Sequence, residues 1–286
     1  MAMRGCQTNI YNGLGSHIGD PRARHFIVLY RFPLAPDMTA TLPELLFSRA
    51  ATSSAGIGYL GFDGTVTKFS PYADLYADAS RIAPKLLSLG LKPEVDIVVT
   101  SFPDHESHIR VFWACCLGMH FISFLGLDNF SLVDTTAGIR LCPIPPLHPD
   151  PSRRTAFLQH LRSLFHGPTV IADEQTIADI SACATCIKTL SLSTVEKTDA
   201  DSSYHALTFP ERLPSSDDVV CFMLTSGSTG NAKAVTHRHS NLLSSVRGKI
   251  KHHGTSSSSR FLNWVAFDHV ACVSEVHIQA MEADAV

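Results

Sequence analysis

One stretch decides the fold of this 286-residue chain, and it reads Val219-Val220-Cys221-Phe222-Met223-Leu224-Thr225-Ser226-Gly227-Ser228-Thr229-Gly230-Asn231-Ala232-Lys233-Ala234-Val235. It begins as an apolar run, passes through six small hydroxyl and glycine residues, and returns through a lysine to a second, short apolar run. Apolar and β-branched residues on both sides of a turn-forming cluster are typical of two strands joined by a loop. The stretch therefore predicts a strand, a loop over 225–230 and a second strand.

The residues of this loop are suited to hold an anion. Glycines allow the backbone to turn so that successive N–H groups can point at one oxygen-rich ligand. Hydroxyl side chains and one mobile ammonium group add further donors, and they belong to Thr225, Ser226, Ser228, Thr229 and Lys233. The alternative is a flexible Gly/Ser loop that binds nothing, but the ordered pattern between strand-like flanks favours a triphosphate site.

The spacing of the lysine excludes one familiar phosphate loop and matches another. A Walker loop places the lysine directly after the glycine, whereas Asn231 and Ala232 separate Gly230 from Lys233 here. The string instead resembles the phosphate loop of the adenylate-forming enzymes, Thr-Ser-Gly-Ser/Thr-Thr-Gly-x-x-Lys, at every fixed position. That family includes acyl-CoA synthetases, luciferases and nonribosomal-peptide adenylation domains. The resemblance implies a triphosphate site formed by Thr225, Ser226, Gly227, Ser228, Thr229, Gly230 and Lys233.

The rest of the chain alternates capped helices with buried strands. Apolar residues at helical spacing predict helices over 71–89, 106–117 and 151–165, and the apolar run at 97–99 predicts a buried strand. Such alternation predicts an α/β fold with a parallel or mixed sheet flanked by helices. The helix start at Phe69 to Leu75 also resembles the front of adenylation domains, so the resemblance implies the N-terminal part of the adenylate-forming enzyme fold.

A second candidate site follows a predicted strand over 261–267. Phe267-Asp268-His269 resembles the aromatic-rich motif beside the acyl-adenylate pocket of the family. The resemblance makes Phe267, Asp268 and His269 candidate substrate-pocket residues and makes His269 the candidate catalytic residue. As alternatives, Asp268 would be the N-cap of the helix that follows, and His269 would be a packed residue of its first turn.

The resemblance extends from about Thr41 to the C-terminus and is closest to fungal proteins similar to nonribosomal peptide synthetases. Residues 1–40 have no regular pattern and are expected to form a loosely structured extension, and 41–286 a truncated AMP-binding (adenylation) domain. One segment, 119–140, interrupts the resemblance between Gly118 and Leu141. It is expected to be either a poorly packed insertion or translated intron sequence, because long structureless loops are uncommon in compact domains.

Composition excludes several other classes of function. The formal net charge is −3 with no basic stripe, which argues against a nucleic-acid partner. No apolar run reaches membrane-spanning length, and the N-terminus lacks a secretory pattern, so the expected location is the cytoplasm. The eight cysteines are scattered, which predicts reduced core thiols. Cys183-x-x-Cys186 has no second pair at zinc-ligand spacing, and no metal site is predicted from the protein's own ligands.

The family resemblance implies the chemistry. Such enzymes join a small carboxylic acid to ATP, with Mg²⁺, and release an acyl-adenylate and pyrophosphate. The acyl acceptor would be CoA or the phosphopantetheine thiol of a carrier protein. The alternatives are a truncated, catalytically inactive remnant and a small nucleotide-binding module. The family's groups for adenosine and Mg²⁺, and its catalytic lysine, would follow Val286, so the 286-residue chain is expected to show no carboxylate-dependent exchange of pyrophosphate into ATP.

Overall fold

The computed structural model describes residues 39–93, 95–117, 138–183, 186–199, 215–225 and 232–286. The strands are β1 Gly56–Leu60, β2 Val66–Pro71, β3 Ile97–Ser101, β4 Arg140–Pro143, β5 Thr169–Ala172, β6 Lys188–Ser191, β7 Val219–Thr225 and β8 Lys233–Arg238. The helices are α1 Leu42–Thr52, α2 Tyr72–Ser88, α3 His105–Leu117, α4 Pro151–Phe165, α5 Glu174–Ala182, α6 Leu192–Lys197 and α7 His239–His253, and a π-helical segment Ala271–Ile278 continues into α8 Gln279–Glu282. The predicted α/β class and the three predicted helices are confirmed.

Six strands form one sheet in the order β6-β5-β3-β4-β7-β8, and β1 and β2 form a separate antiparallel hairpin. The first five strands of the large sheet are parallel, and β8 pairs antiparallel with β7 at one edge. Parallel strands need long crossover connections, and helices provide them here. The carboxyl ends of the five parallel strands therefore meet at one edge of the sheet.

Helices cover both faces of the sheet, as the strand residues require. Val98 of β3 and Leu141 of β4 pack into a core shared with α1, α2, α3, α7 and the π-helical segment. Their neighbours Val99 and Cys142 pack into a second core with α4 and α5. Successive side chains of a strand point to opposite faces, so a strand that is apolar at every position must be covered on both sides.

Local capping fixes where several of these helices begin. The Thr41 hydroxyl accepts from the N–H of Glu44, while the Glu44 carboxylate accepts from the N–H of Thr41 at 3.0 Å, which is a capping box at the start of α1. His239, at the start of α7, is buried and its Nδ1 accepts from the N–H of Leu42 at 3.1 Å. This tertiary cap fixes α1 against α7, and it stabilises one of the unpaired N–H groups that every helix start carries.

The strand predicted over 261–267 is wrong, and so is the N-cap predicted at Asp268. Residues 261–264 have alternating exposure but no ladder partner within the described part of the chain, and the backbone bends at Val265 and turns at Phe267. The helix that follows begins at Ala271 after Val270, without a side-chain cap. A strand needs a partner as well as a sequence pattern, which is why the pattern alone misassigned this segment.

Only the last three residues of the expected insertion at 119–140 belong to the described residues. Residues 119–137 lie outside the described residues, as do residues 1–38 of the expected extension over 1–40. Ile139 is buried and its N–H donates to the Cys115 carbonyl at the end of α3 at 2.9 Å, and Arg140 begins β4. The last residues of the predicted insertion therefore belong to the packed sheet.

The described cysteines support the prediction of reduced core thiols. Each of them is a free thiol. The buried ones are Cys115, Cys116, Cys142, Cys221 and Cys272. No helix among the described residues has the length and apolar character needed to cross a membrane.

Candidate functional site

The predicted phosphate loop joins the two strands of an antiparallel hairpin. Thr225 is the last residue of β7 and pairs with Lys233, the first residue of β8. The Thr225 hydroxyl donates to the Lys233 carbonyl at 3.4 Å. Both flanks of the predicted strand-loop-strand arrangement are thus confirmed, while Ser226, Gly227, Ser228, Thr229 and Gly230 lie outside the described residues. The hairpin register places the hydroxyl of Thr225 and the side chain of Lys233 at the base of that loop.

Lys233 is exposed, and no carboxylate of the described residues pairs with it. An exposed ammonium group on a flexible stem can reach a bound anion without first breaking an ion pair. Thr225, also exposed, offers a hydroxyl that can rotate towards the same ligand. The two described members of the predicted site therefore fit a triphosphate.

His160, which the sequence did not indicate as a site residue, contacts the chain where the predicted loop leads into β8. His160 of α4 donates from Nε2 to the carbonyl of Ala232 at 2.7 Å, directly before Lys233. Because a carbonyl can only accept, the proton of the imidazole lies on Nε2. His160 is distant in sequence from the loop and belongs to no recognisable motif, so only the packing of α4 on the sheet reveals the contact.

The hairpin lies at a favourable place in the sheet for ligand binding. β4 and β7 are neighbours in the sheet. From β4 the chain passes to β5, which lies on one side of this pair, whereas from β7 it passes to β8, which lies on the other side. Ligands of open α/β sheets bind at the carboxyl ends of strands where the connections diverge in this way. The loop after Thr225 begins at such a position.

The three residues of the predicted substrate pocket have different environments. Phe267 is buried, with a relative exposure of 1%, and its ring stacks on His108 with centroids 5.5 Å apart. Asp268 is half-buried, and His269 is exposed and accepts at Nδ1 from the N–H of Ala271 at 3.2 Å. Phe267 is thus a core residue that anchors the turn. The alternative of a packed His269 is wrong, since its side chain faces solvent.

Asp268 lies near the carboxyl edge of the sheet. The pKa of the Cys142 thiol in β4 is raised, mainly by burial and further by the negative charges of Cys221 and Asp268. The pKa of His105, which begins α3 after β3, is lowered by burial, and the charges of Asp104 and Asp268 oppose this shift. Phe267, the neighbour of Asp268, stacks on His108, which accepts from the N–H of Phe102 directly after β3, so the turn that carries Asp268 lies beside the carboxyl end of β3.

Two buried histidines hold this region together, and sequence analysis missed both. His108 accepts at Nε2 from the N–H of Phe102 at 3.2 Å, and its Nδ1 is 3.1 Å from the Thr100 hydroxyl. His277 accepts at Nε2 from the indole N–H of Trp113 at 2.7 Å. Burial lowers the pKa of His108 to about 4 and that of His277 to about 4. Both imidazoles are therefore neutral near pH 7, and their hydrogen bonds link β3, α3 and the π-helical segment.

The described residues offer no ready-made metal centre. No group of three or more His, Cys, Asp or Glu side chains in the described ranges is arranged to hold a metal ion. Mg²⁺ usually keeps several waters and binds substrate phosphates together with one or two carboxylates. A bound nucleotide would therefore carry most of the ligands of such an ion.

Comparison with known proteins identifies the family. The model of the family described as AMP-binding enzyme matches residues 137–282. The nonribosomal peptide synthetase acyN of Ascocoryne sarcoides is 34% identical over 218 residues, which cover 76% of this chain and 21% of that protein. The microperfuranone synthase of Emericella nidulans is 32% identical over 243 residues, covering 84% of this chain and 23% of that protein. The chain thus spans less than a quarter of the length of either relative.

A solved structure supports the same assignment at the level of the fold. The McyG A-PCP structure complexed with phenylalanyl-adenylate superposes with a TM-score of 0.69 and 24% sequence identity, covering 86% of this chain and 35% of that one. The fold is therefore that of the adenylate-forming enzymes. Because the family model matches more than half of its length, the chain belongs to the AMP-binding enzyme family.

Proposed function

We propose that the protein is part of a CoA-ligase or of an enzyme similar to nonribosomal peptide synthetases, which uses ATP and Mg²⁺ to convert a small carboxylic acid into an acyl-adenylate and pyrophosphate. The observation that carries this proposal is the β7–β8 hairpin, which holds Thr225 and Lys233 at the base of the phosphate-loop sequence, at the carboxyl edge of a parallel sheet. Family membership supports the same chemistry, because the similar proteins include a nonribosomal peptide synthetase and a structure bound to an acyl-adenylate.

The reaction needs several groups that stabilise negative charge, and residues 225–230 with Lys233 can supply some of them. A carboxylate oxygen attacks the α-phosphorus of ATP, the bond from that phosphorus to the α–β bridging oxygen breaks, and pyrophosphate leaves with the electron pair. Negative charge grows on the departing phosphates, so donors held in place before the reaction lower the barrier. In the proposal, the N–H groups and hydroxyls of 225–230 bind the β- and γ-phosphates, and the Lys233 ammonium neutralises them. Mg²⁺ would add charge neutralisation on the same phosphates.

The acid would bind beside the turn at 267–269. Asp268 and His269 are the two residues of this turn that are not buried in the core, so we propose that they line the pocket for the acyl group. The acceptor of the acyl group would be CoA or the phosphopantetheine thiol of a carrier protein, and the reaction would take place in the cytoplasm. The second relative, a microperfuranone synthase, is consistent with a role in secondary metabolism.

Binding of ATP to the purified 286-residue chain tests the phosphate loop. We expect Lys233→Ala to weaken ATP binding about tenfold, because one charge-assisted contact typically contributes about 1.5 kcal/mol or more. Lys251→Ala is the matched control, since Lys251 is also exposed but lies in the last turn of α7, and its affinity should equal that of the unchanged protein. Equal affinities of the Lys233 and Lys251 variants in isothermal titration would contradict the proposed loop.

Exchange of labelled pyrophosphate into ATP separates an enzyme from a nucleotide-binding module. We expect the 286-residue chain to bind ATP yet show no exchange with aryl, keto, amino or fatty acids. Each well-placed electrostatic group contributes on the order of 10²–10³-fold in rate, and this chain offers candidates for the triphosphate but none that we assign to the α-phosphate. Robust carboxylate-dependent exchange would show instead that the complete catalytic machinery lies within these 286 residues.

A further inference from the structure

The chain enters β8 at Ala232, directly before the last pair of the β7–β8 ladder. That pair joins Thr225 to Lys233. β8 ends the strand order of the described sheet, so β7 supports it from one side. Whatever lies against Ala232 therefore decides how firmly the start of β8 is held, and Lys233 is the first residue of that strand.

Helix α4 packs along this hairpin with an apolar face. The ring of Phe165 in α4 lies 5.4 Å from that of Phe222 in β7, measured between centroids. Leu161 of the same helix belongs to the core against which Ala234 of β8 packs. Because it contacts residues of both strands through this core, α4 can hold a side chain in a fixed place beside the hairpin.

His160 is the polar residue of that helix face. It lies three residues after Phe157 and four before Leu164, which both pack on the same core. Its half-buried imidazole donates from Nε2 to the Ala232 carbonyl at 2.7 Å. A helix face that packs on a core is normally apolar, and a polar side chain within it needs a hydrogen-bond partner. The partner of His160 belongs to the peptide group that joins Ala232 to Lys233.

We propose that His160 is a positioning residue for Lys233. Its hydrogen bond holds the peptide group before the lysine, and the orientation of that peptide group sets the direction in which the lysine stem leaves the backbone. A stem that starts in a fixed direction has fewer conformations to lose when its ammonium group binds an anion. The inference rests on the proposed triphosphate site and deepens it, because His160 strengthens that site without contacting the ligand.

A double-mutant cycle distinguishes this role from general support of the hairpin. If His160 acts through Lys233, its loss weakens the binding of inorganic tripolyphosphate in the unchanged chain but has no further effect once Lys233 is replaced by alanine. Residues that act through each other are non-additive in this way. A substitution that only loosened the hairpin would instead weaken binding in both backgrounds, because it would displace the other donors of the loop as well.

Isothermal titration with tripolyphosphate measures these affinities. We expect His160→Leu to weaken binding about fivefold, which corresponds to about 1 kcal/mol, a typical net contribution of a hydrogen bond. Leucine is a good helix former without a donor. His160→Gln should bind as tightly as the unchanged chain, because the amide N–H of glutamine can replace the Nε2–H of the imidazole. Gln159→Leu is the control, since Gln159 is exposed on the same helix, and circular dichroism checks that all variants fold.

Failure of the positioning role and failure of the triphosphate site give different results. If the unchanged chain binds tripolyphosphate and Lys233→Ala weakens this binding, an unchanged affinity in His160→Leu would overturn the role of His160 alone. So would a His160→Gln variant as weak as His160→Leu, or a fivefold loss that persists in the Lys233→Ala background. If the unchanged chain does not bind tripolyphosphate, or Lys233→Ala binds it equally well, the proposed site is wrong and the role of His160 with it.

Discussion

His108 and His277 show how single residues set the response of the fold to pH. Each accepts a hydrogen bond at Nε2, from the Phe102 N–H and the Trp113 indole respectively, and each can do so only while that nitrogen is unprotonated. Phe267 contacts both rings. Protonation of either imidazole would break a buried hydrogen bond and leave a charge beneath the turn that carries Asp268.

The free energy of unfolding should therefore fall as the pH decreases from about 6.5 to about 4. An unfolded histidine has a pKa near 6.5, while burial lowers that of His108 and His277 to about 4. Between these two pH values the unfolded state binds more protons than the folded state. The contribution of each neutral histidine to stability is therefore fully present above about pH 6.5, and up to about 3 kcal/mol per histidine is lost as the pH falls to about 4. Urea unfolding at pH 7.0, 5.5 and 4.5 measures this loss.

His277→Gln provides the control for that pH dependence. Glutamine offers an acceptor to the Trp113 indole but does not titrate, so the variant should lose less stability between pH 7.0 and 4.5 than the unchanged protein. Trp113 is fully buried and Trp264 is largely exposed, so the fluorescence of Trp113 can be followed after Trp264→Phe. An unchanged pH dependence in His277→Gln would show that other groups govern the acid response.

At the scale of elements, Gly138 and Gly248 differ in the space available for a side chain. A Cβ atom at Gly138 would lie 2.4 Å from the Cys115 carbonyl oxygen and 2.8 Å from that of Cys116. The close approach lets the chain before β4 pack on the end of α3. Gly248 lies within α7 and has open space around it.

Alanine at these two glycines should therefore change stability in opposite directions. We expect Gly138→Ala to destabilise the protein by about 1–3 kcal/mol, because backbone must move to relieve the overlap. Gly248→Ala should stabilise it by about 0.5–1 kcal/mol, since alanine is a better helix former than glycine. Denaturant midpoints of the two variants measure both effects. If Gly138→Ala is neutral, the packing of 138–140 against α3 is not as described.

Some of the helices and strands could be predicted from the sequence, and others could not. Helices 71–89, 106–117 and 151–165 were predictable because apolar periodicity falls within each segment. The strand expected over 261–267 was not, since pairing depends on a partner that no local pattern reveals. The contact of His160 with Ala232 joins residues 72 positions apart in the chain, and only the sheet order brings them together.

For the whole molecule, the parallel sheet could be predicted but its strand order could not. Alternating helices and strands require crossovers, and this much is local information. The central position of β3 and β4, and the placing of β7 beside β4, depend on packing between distant segments. For the candidate site, the sequence predicted the two strands that flank the proposed phosphate loop, whereas the buried imidazoles beneath Phe267 belong to no motif. The proximity of Asp268 to the sheet edge likewise follows only from the fold.

Hydrogen–deuterium exchange with and without ligand tests most directly the claim that the β7–β8 hairpin holds a triphosphate. We predict that ATP and inorganic tripolyphosphate slow exchange in peptides that cover 219–235, because bound phosphate oxygens accept from the N–H groups of the loop. AMP, which lacks the β- and γ-phosphates, should leave these peptides unchanged, and Lys233→Ala should reduce the protection by ATP. Protection by ATP that appears only elsewhere, or equal protection of 219–235 by AMP, would contradict the account.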